Sequence, residues 1–191
     1  MTDIGVLAAL LAASGKPIWL AGGHAIDAYL RRSTRDHDDL DFAIRRADQL
    51  AFQRTLNGWD LCAADPPGSG TLVQWSAGQF YDLPIHNVWC RRHENSPWEL
   101  ELLFSEFEGD EWVYRRNRAI RGPITEFGWT HATMSVIAPE IQLLYKSRSR
   151  REKDLFDFQN CLKVFEPWRS TRLREWVTLD SGADHPWLPL F

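Results

Sequence analysis

Few cysteines, no long apolar run and no excess of positive charge characterise this sequence, and each shortage excludes something. Cys62, Cys90 and Cys161 are an odd, widely spaced set that fits neither a disulfide framework nor zinc-ligand spacing, so they read as buried thiols. No segment approaches the ~18 uninterrupted apolar residues of a membrane span, and no membrane partner is expected. Met1-Thr2-Asp3 opens acidic and the apolar run from Val6 to Ala13 stops at Gly15-Lys16-Pro17. The basic start of a secretory signal is thus missing, and a cytoplasmic location is expected. The 22 Lys and Arg against 26 Asp and Glu leave a net charge of −4, so nucleic acid is not the expected partner and any polyanion binding must be local. No internal repeat is visible.

What is present fits a folded chain of ordinary composition. The 191 residues suit one domain, or a catalytic core with a small appendage, and 44% hydrophobic with 25% charged residues are enough to bury a real core. Ten tryptophans share no common interval, so packing in core and pocket is their expected use.

Periodicity predicts an amphipathic helix over residues 3–14, a buried strand at Ile18-Trp19-Leu20-Ala21, a glycine turn at Gly22-Gly23 and a second helix from His24 to Arg32. Asp38 to Ile44 alternates as a strand does, and residues 46–57 read as helix. Residues 63–70, with two prolines and two glycines, form a loop. Short β-type runs follow at 71–75, 84–90, 98–104 and 111–114. After Gly122-Pro123 and an irregular stretch, Ala138-Pro139-Glu140 starts the first of two or three helices filling 139–179, and the proline-rich tail from Asp184 to Pro189 does not continue them. The fold class expected is α/β (α+β), a mixed β-sheet flanked by helices over residues 1–123, plus a C-terminal helical region over 124–191.

Asp39-Leu40-Asp41 is the sharpest chemical signal. Residues two apart on a strand point to the same side, so both carboxylates can converge on one point. Two ionised carboxylates at close range repel, and either a proton or a divalent cation must relieve them. Hard oxygen ligands beside a phosphate favour Mg2+. Gly22-Gly23, sixteen residues earlier at a strand-to-helix turn, would let a phosphate approach backbone N–H groups at the helix N-terminus. Taken alone, a glycine pair is a tight turn and Asp-x-Asp a solvated strand face; their order and spacing together point to a site. A third carboxylate is offered by Glu101, set among Leu100, Leu102 and Leu103, where an unpaired charge is costly. Glu99 shares its face but lies nearer the strand start, so Glu101 is preferred.

Trp19-Leu20-Ala21-Gly22-Gly23-His24-Ala25-Ile26-Asp27 followed by Thr34-Arg35-Asp36-His37-Asp38-Asp39-Leu40-Asp41 resembles the start of aminoglycoside 2''-adenylyltransferases and lincosamide nucleotidyltransferases, members of the DNA polymerase β-like nucleotidyltransferase superfamily. The match is specific over residues 18–44. Ala138 to Lys146, and Lys153-Asp154 through Asp157-Phe158, resemble a segment of bacterial relatives more loosely. The resemblance implies that Gly22 and Gly23 contact the triphosphate, that Asp39 and Asp41 bind magnesium, and that Glu101 matches the third carboxylate. ATP or another nucleoside triphosphate would be the co-substrate, and a small-molecule hydroxyl, as on an antibiotic, the acceptor. The third position is often Asp in antibiotic-modifying members; Glu is one methylene longer, which leaves a base or a ligand role open.

Secondary candidates divide between structure and site. Asp27 either complements the helix dipole or belongs to the site. His37 is read as orienting the acidic cluster or contacting nucleotide, and Asp38 as a hydrogen-bonding strand residue. Lys146, Arg148, Arg150, Arg151 and Lys153 form a basic stretch in which Lys146, Arg150 and Lys153 would share one helical face able to clamp a triphosphate, against the plainer reading of a solvated face. Trp89 and Trp98 are packing residues that can also stack a base or sugar. Two rival readings are a macromolecule-modifying enzyme, with a channel lined by Arg31, Arg32 and Arg35, and a non-catalytic nucleotide binder.

Overall fold

The computed structural model describes residues 3–149 and 151–191. Helix α1 (Ile4–Ala12) starts where Asp3 accepts the Gly5 N–H at 2.6 Å, and it buries Leu7 and Leu11 one turn apart. Strand β1 (Ile18–Leu20) turns into helix α2 (Gly22–Leu30), which ends where Arg31 takes the left-handed conformation. Strand β2 (Leu40–Arg45) returns antiparallel to β1, and a 3-10 turn (Arg46–Asp48) leads to helix α3 (Gln49–Thr55). Then come β3 (Asp60–Ala64), β4 (Leu72–Gln74), β5 (Asn87–Arg91), β6 (Leu100–Glu108), β7 (Glu111–Val113) and β8 (Arg121–Pro123). A single helical turn, α4 (Ile124–Phe127), precedes the hairpin of β9 (Gly128–His131) and β10 (Met134–Ile137). The chain closes with α5 (Pro139–Ser147), α6 (Glu152–Leu162) and α7 (Pro167–Ser181).

The strands run in the order β4-β3-β5-β6-β2-β1-β10-β9, with β7 and β8 extending from the far end of β6. Two pairs are parallel, β2 with β6 and β1 with β10, so the sheet is mixed. Phe42, Ile44, Leu100, Leu102 and Phe104 are buried in its centre, as expected of strands covered on both faces. Between them Asp41, Ala43, Glu101, Leu103 and Ser105 face a cleft whose opposite wall is formed by Gln142, Tyr145 and Lys146 of α5.

Three expectations change. The region after residue 124 is not purely helical, because β9 and β10 join the sheet beside β1; an apolar run as short as Met134–Ile137 gains its partner only from a strand over a hundred residues away. Asp39 lies one residue before β2 rather than within it. The basic stretch is not one helix: α5 ends at Ser147 and α6 starts at Glu152, so i, i+4, i+7 spacing does not apply, and Arg150 lies outside the described residues. The proline-rich tail packs back, with Trp187 stacked on Phe158 at 4.3 Å and His185 Nε2 bonded to the Ser147 carbonyl at 2.8 Å.

Candidate active site

Parallel pairing of β2 and β6 sets Asp41 directly opposite Glu101, and antiparallel β5 sets Trp89 opposite Glu101 on the other side. Asp39, Asp41 and Glu101 thereby bring one carboxylate oxygen each to within 4.8 Å of one another. Glu101 accepts a hydrogen bond from the Asn87 side-chain amide. Burial, then the Asp39 charge, push Asp41 up to about 6; burial, then the Asp41 charge, push Glu101 well above the usual carboxylate range. Burial and Asp38 raise Asp39. A proton held by Glu101 and donated to Asp41 is one way to relieve this cluster. A divalent cation is the other, and three hard oxygen donors with excess negative charge fit magnesium.

Glu99 is not part of the cluster. It stands just before β6 with Arg92 3.4 Å away. Asp38 is exposed at the cleft mouth.

The glycine turn owes its composition to close packing. Gly22 has φ 65°, and a Cβ there would fall 1.7 Å from Asp41 Oδ2. A Cβ on Gly23 would fall 2.2 Å from the His37 ring and 2.6 Å from Arg35. The Gly22 N–H is already donated to Gln142 Oε1 at 2.8 Å, so α5 is tied to the turn through that group. His37 donates through Nε2 to Asp27 Oδ2 at 2.7 Å, and Asp27 also accepts from the Thr34 N–H at 3.0 Å and from its hydroxyl. Asp27 and His37 thus anchor the segment that delivers Asp39. The His24 ring lies 4.2 Å from that of His37, and burial lowers His24 to about 4, which keeps it neutral.

The basic residues split. Lys146 is buried and bridges Asp154 at 2.6 Å and Asp157 at 2.9 Å, while Arg35 reaches Asp157 at 3.2 Å and Arg151 reaches Asp154 at 2.7 Å. Lys153 is exposed on the cleft, close enough to lower both Asp39 and Asp41. Arg148 points elsewhere, to Asp180 at 2.7 Å. Arg31 and Arg32 do not line the cleft, whereas Arg35 does. Trp89 and Trp98 form one wall, with ring centres 6.4 Å apart and Arg91 lying 4.2 Å over Trp98.

Sequence reasoning passed over His86, Asn87, Arg115, Arg116, Gln142 and Tyr145, of which all but Asn87 line the cleft. The Arg115-Arg116 doublet after Trp112-Val113-Tyr114 was visible as a signal; Gln142 and Asn87 carried none, since only tertiary pairing gives them partners.

The cleft, of about 600 Å³, thus holds three convergent carboxylates near the starts of the parallel strands β2 and β6 and is walled by α5. The family model for aminoglycoside-2''-adenylyltransferase matches residues 3–64. A 2''-aminoglycoside nucleotidyltransferase of Escherichia coli is 40% identical over 63 residues, 30% of this chain and 36% of that protein, and one of Klebsiella pneumoniae matches to the same extent. The matched stretch therefore spans about a third of those relatives' length. Among solved structures, the lincosamide antibiotic adenylyltransferase LnuA with lincomycin bound superposes with a TM-score of 0.56 at 17% identity, over 85% of this chain and 96% of that one. ANT(2'')-Ia in complex with adenylyl-2''-tobramycin gives 0.56 at 14% identity, over 93% and 98%. The chain has the nucleotidyltransferase fold along most of its length, and in sequence its first third is similar to the aminoglycoside nucleotidyltransferases.

Proposed function

We propose that this chain is a magnesium-dependent nucleotidyltransferase that moves a nucleoside monophosphate, AMP from ATP in the simplest case, to a hydroxyl of a small-molecule acceptor. The observation that carries this reading is the convergence of Asp39, Asp41 and Glu101 within 4.8 Å in a cleft that also holds Gly22, Gly23 and Lys153. Those carboxylates would hold magnesium, which when bound offsets the charge of the acidic cluster and of the phosphate oxygens. Lys153 draws the triphosphate toward the turn at Gly22 and Gly23. Lys146, its charge answered by Asp154 and Asp157, fixes the α5 to α6 junction over the nucleotide.

The acceptor oxygen bonds to the α-phosphorus as the bond from that phosphorus to the α–β bridging oxygen breaks, and pyrophosphate leaves. Glu101 takes the hydroxyl proton, with Asn87 holding its carboxylate in place. His37 keeps the Asp39 segment in register through Asp27. Residues 1–123 together with β9 and β10 supply the chemistry, and the C-terminal helices supply the lid-side wall. With ATP as donor, the cytoplasm is the compartment we assign.

The antibiotic hydroxyls named with the related proteins, an aminoglycoside and a lincosamide, are the first acceptors to assay. Mass spectrometry of tobramycin, lincomycin and a broader hydroxyl panel incubated with the protein, magnesium and each triphosphate should reveal an adduct of one nucleoside monophosphate. Calorimetry tests the donor site: ATP binding that is equal with and without magnesium, in both wild type and Asp39→Asn, would remove the metal assignment.

A further inference from the structure

The cleft has two cationic walls that differ in how their charge is answered. Around α6, Lys146, Arg35 and Arg151 each meet a carboxylate of Asp154 or Asp157. On the wall that follows β7, Arg115 lines the cleft and has no hydrogen-bond or ion-pair partner among the described residues. Its nearest charged company is more cation, because Arg116 and Arg46 both act on it, and burial with Arg116 holds its guanidinium below the ordinary arginine value. The Tyr145 ring lies 5.9 Å from that guanidinium. The Tyr145 hydroxyl is closed off from solvent and lies towards Ser105 and Trp112. A half-buried guanidinium on a cleft wall, with cations and no carboxylate beside it, leaves a charge that the acceptor oxygens of a ligand can answer.

Position along the strands separates this wall from the triphosphate. Ser105 is four residues beyond Glu101 on β6, roughly 13 Å at strand rise, and His86 sits at the same level, its carbonyl accepting the Phe104 N–H at 2.8 Å. The cations felt most by Asp41 are Lys146 and Lys153, whereas Arg115 acts on His86 and Tyr145. Six basic side chains line the cleft against four acidic ones, three of which form the carboxylate cluster. Few carboxylates are left to receive the ammonium groups of a polycation.

We propose that Arg115 binds an oxyanion on the acceptor, so that the molecule modified is a hydroxyl compound carrying a phosphate or a carboxylate rather than a polycationic aminosugar. The planar guanidinium can meet two oxygens of such a group at once. This inference rests on the nucleotidyltransferase reading, and the test separates the two.

Inorganic phosphate is titrated calorimetrically into the full chain saturated with magnesium and a non-hydrolysable ATP analogue, in wild type, Arg115→Gln, Arg115→Lys and Lys153→Gln, each checked for folding by circular dichroism. Phosphate should bind alongside the analogue, weaken tenfold or more in Arg115→Gln, recover in part in Arg115→Lys, and be unaffected by Lys153→Gln, whose defect falls on the analogue. Equal phosphate affinity in Arg115→Gln, or phosphate excluded by the bound analogue, overturns the proposal and returns Arg115 to the nucleotide. Transfer from ATP, followed by pyrophosphate release, should favour hydroxy acids and sugar phosphates over tobramycin; efficient use of tobramycin that is indifferent to Arg115→Gln also overturns it. Failure of every triphosphate analogue to bind would instead remove the nucleotidyltransferase reading, leaving phosphate binding without nucleotide to decide the Arg115 site alone.

Discussion

The Asp154–Asp157 side of the cleft and the Arg115 side contain the same kind of residue used in opposite ways. Lys146 and Asp157 are both nearly inaccessible and satisfy each other at 2.9 Å, so their cost of burial is offset within the protein. Arg115 is half-buried with no carboxylate partner among the described residues, which leaves its charge open to a ligand. Paired cations hold α5 to α6, while an unpaired one waits for a ligand. Whether a basic residue in a cleft is structural or functional is decided by its carboxylate neighbours, not by its charge.

Breaking the paired side should have the largest effect. Asp157→Asn leaves Arg35 without its partner and Lys146 with one carboxylate, and loss of one member of a buried pair costs about 3–5 kcal/mol. For a chain of this size that corresponds to a fall in Tm of roughly 6–20 °C, measurable by scanning calorimetry. A loss under a few degrees would show the network to be dispensable.

Next in size is the carboxylate centre lying between the two walls. Glu101→Gln should keep the fold and reduce pyrophosphate release about 10²-fold or more, as expected for loss of a general base, with Glu99→Gln close to wild type because Glu99 is held by Arg92 outside the cluster. The reverse result would move the site to Glu99. Gly23→Val should weaken the protein's stability as well as nucleotide affinity, since its side chain would collide with His37 and Arg35.

Smaller is the pH effect on the metal-free chain. Asp41 sits at about 6 in the folded state, above the ~3.9 of an unfolded Asp, so the folded state holds its proton more tightly. The corresponding stability is present below about pH 4 and lost as pH rises through about 6. Melting temperatures recorded from pH 5 to pH 8 should therefore include a falling component that Asp41→Asn removes and millimolar magnesium suppresses. A slope identical in wild type and Asp41→Asn would contradict the strain assigned to the cluster.

Smallest of all is the expected change in stability on Arg115→Gln, within about 0.5 kcal/mol or slightly stabilising, because no native partner is lost. A large destabilisation would make Arg115 structural and erase the contrast between the walls.

The sequence made the acidic cluster legible because its two surest members lie in one short stretch, and Asp39, although one residue before β2, still meets Asp41 on one side. Glu101 was reachable because a charge among Leu100, Leu102 and Leu103 is out of place in a buried strand. The basic stretch misled because helical spacing was extended across the break between Ser147 and Glu152, where no proline or glycine marks the stop. Lys146, expected to face a phosphate, lines the cleft, and two aspartates eight and eleven residues onward also turn back on it once α6 folds against α5.

By itself the sequence determined most of the local elements, the glycine turn and the paired aspartates, all of which depend on residues close along the chain. Tertiary structure alone decided that β10 lies beside β1, that Asn87 and Gln142 brace the site, and which cations are answered and which are free. Those features depend on contacts between residues far apart in the chain, and the worth of a charge depends on what stands within a few ångströms of it, which only the folded arrangement sets.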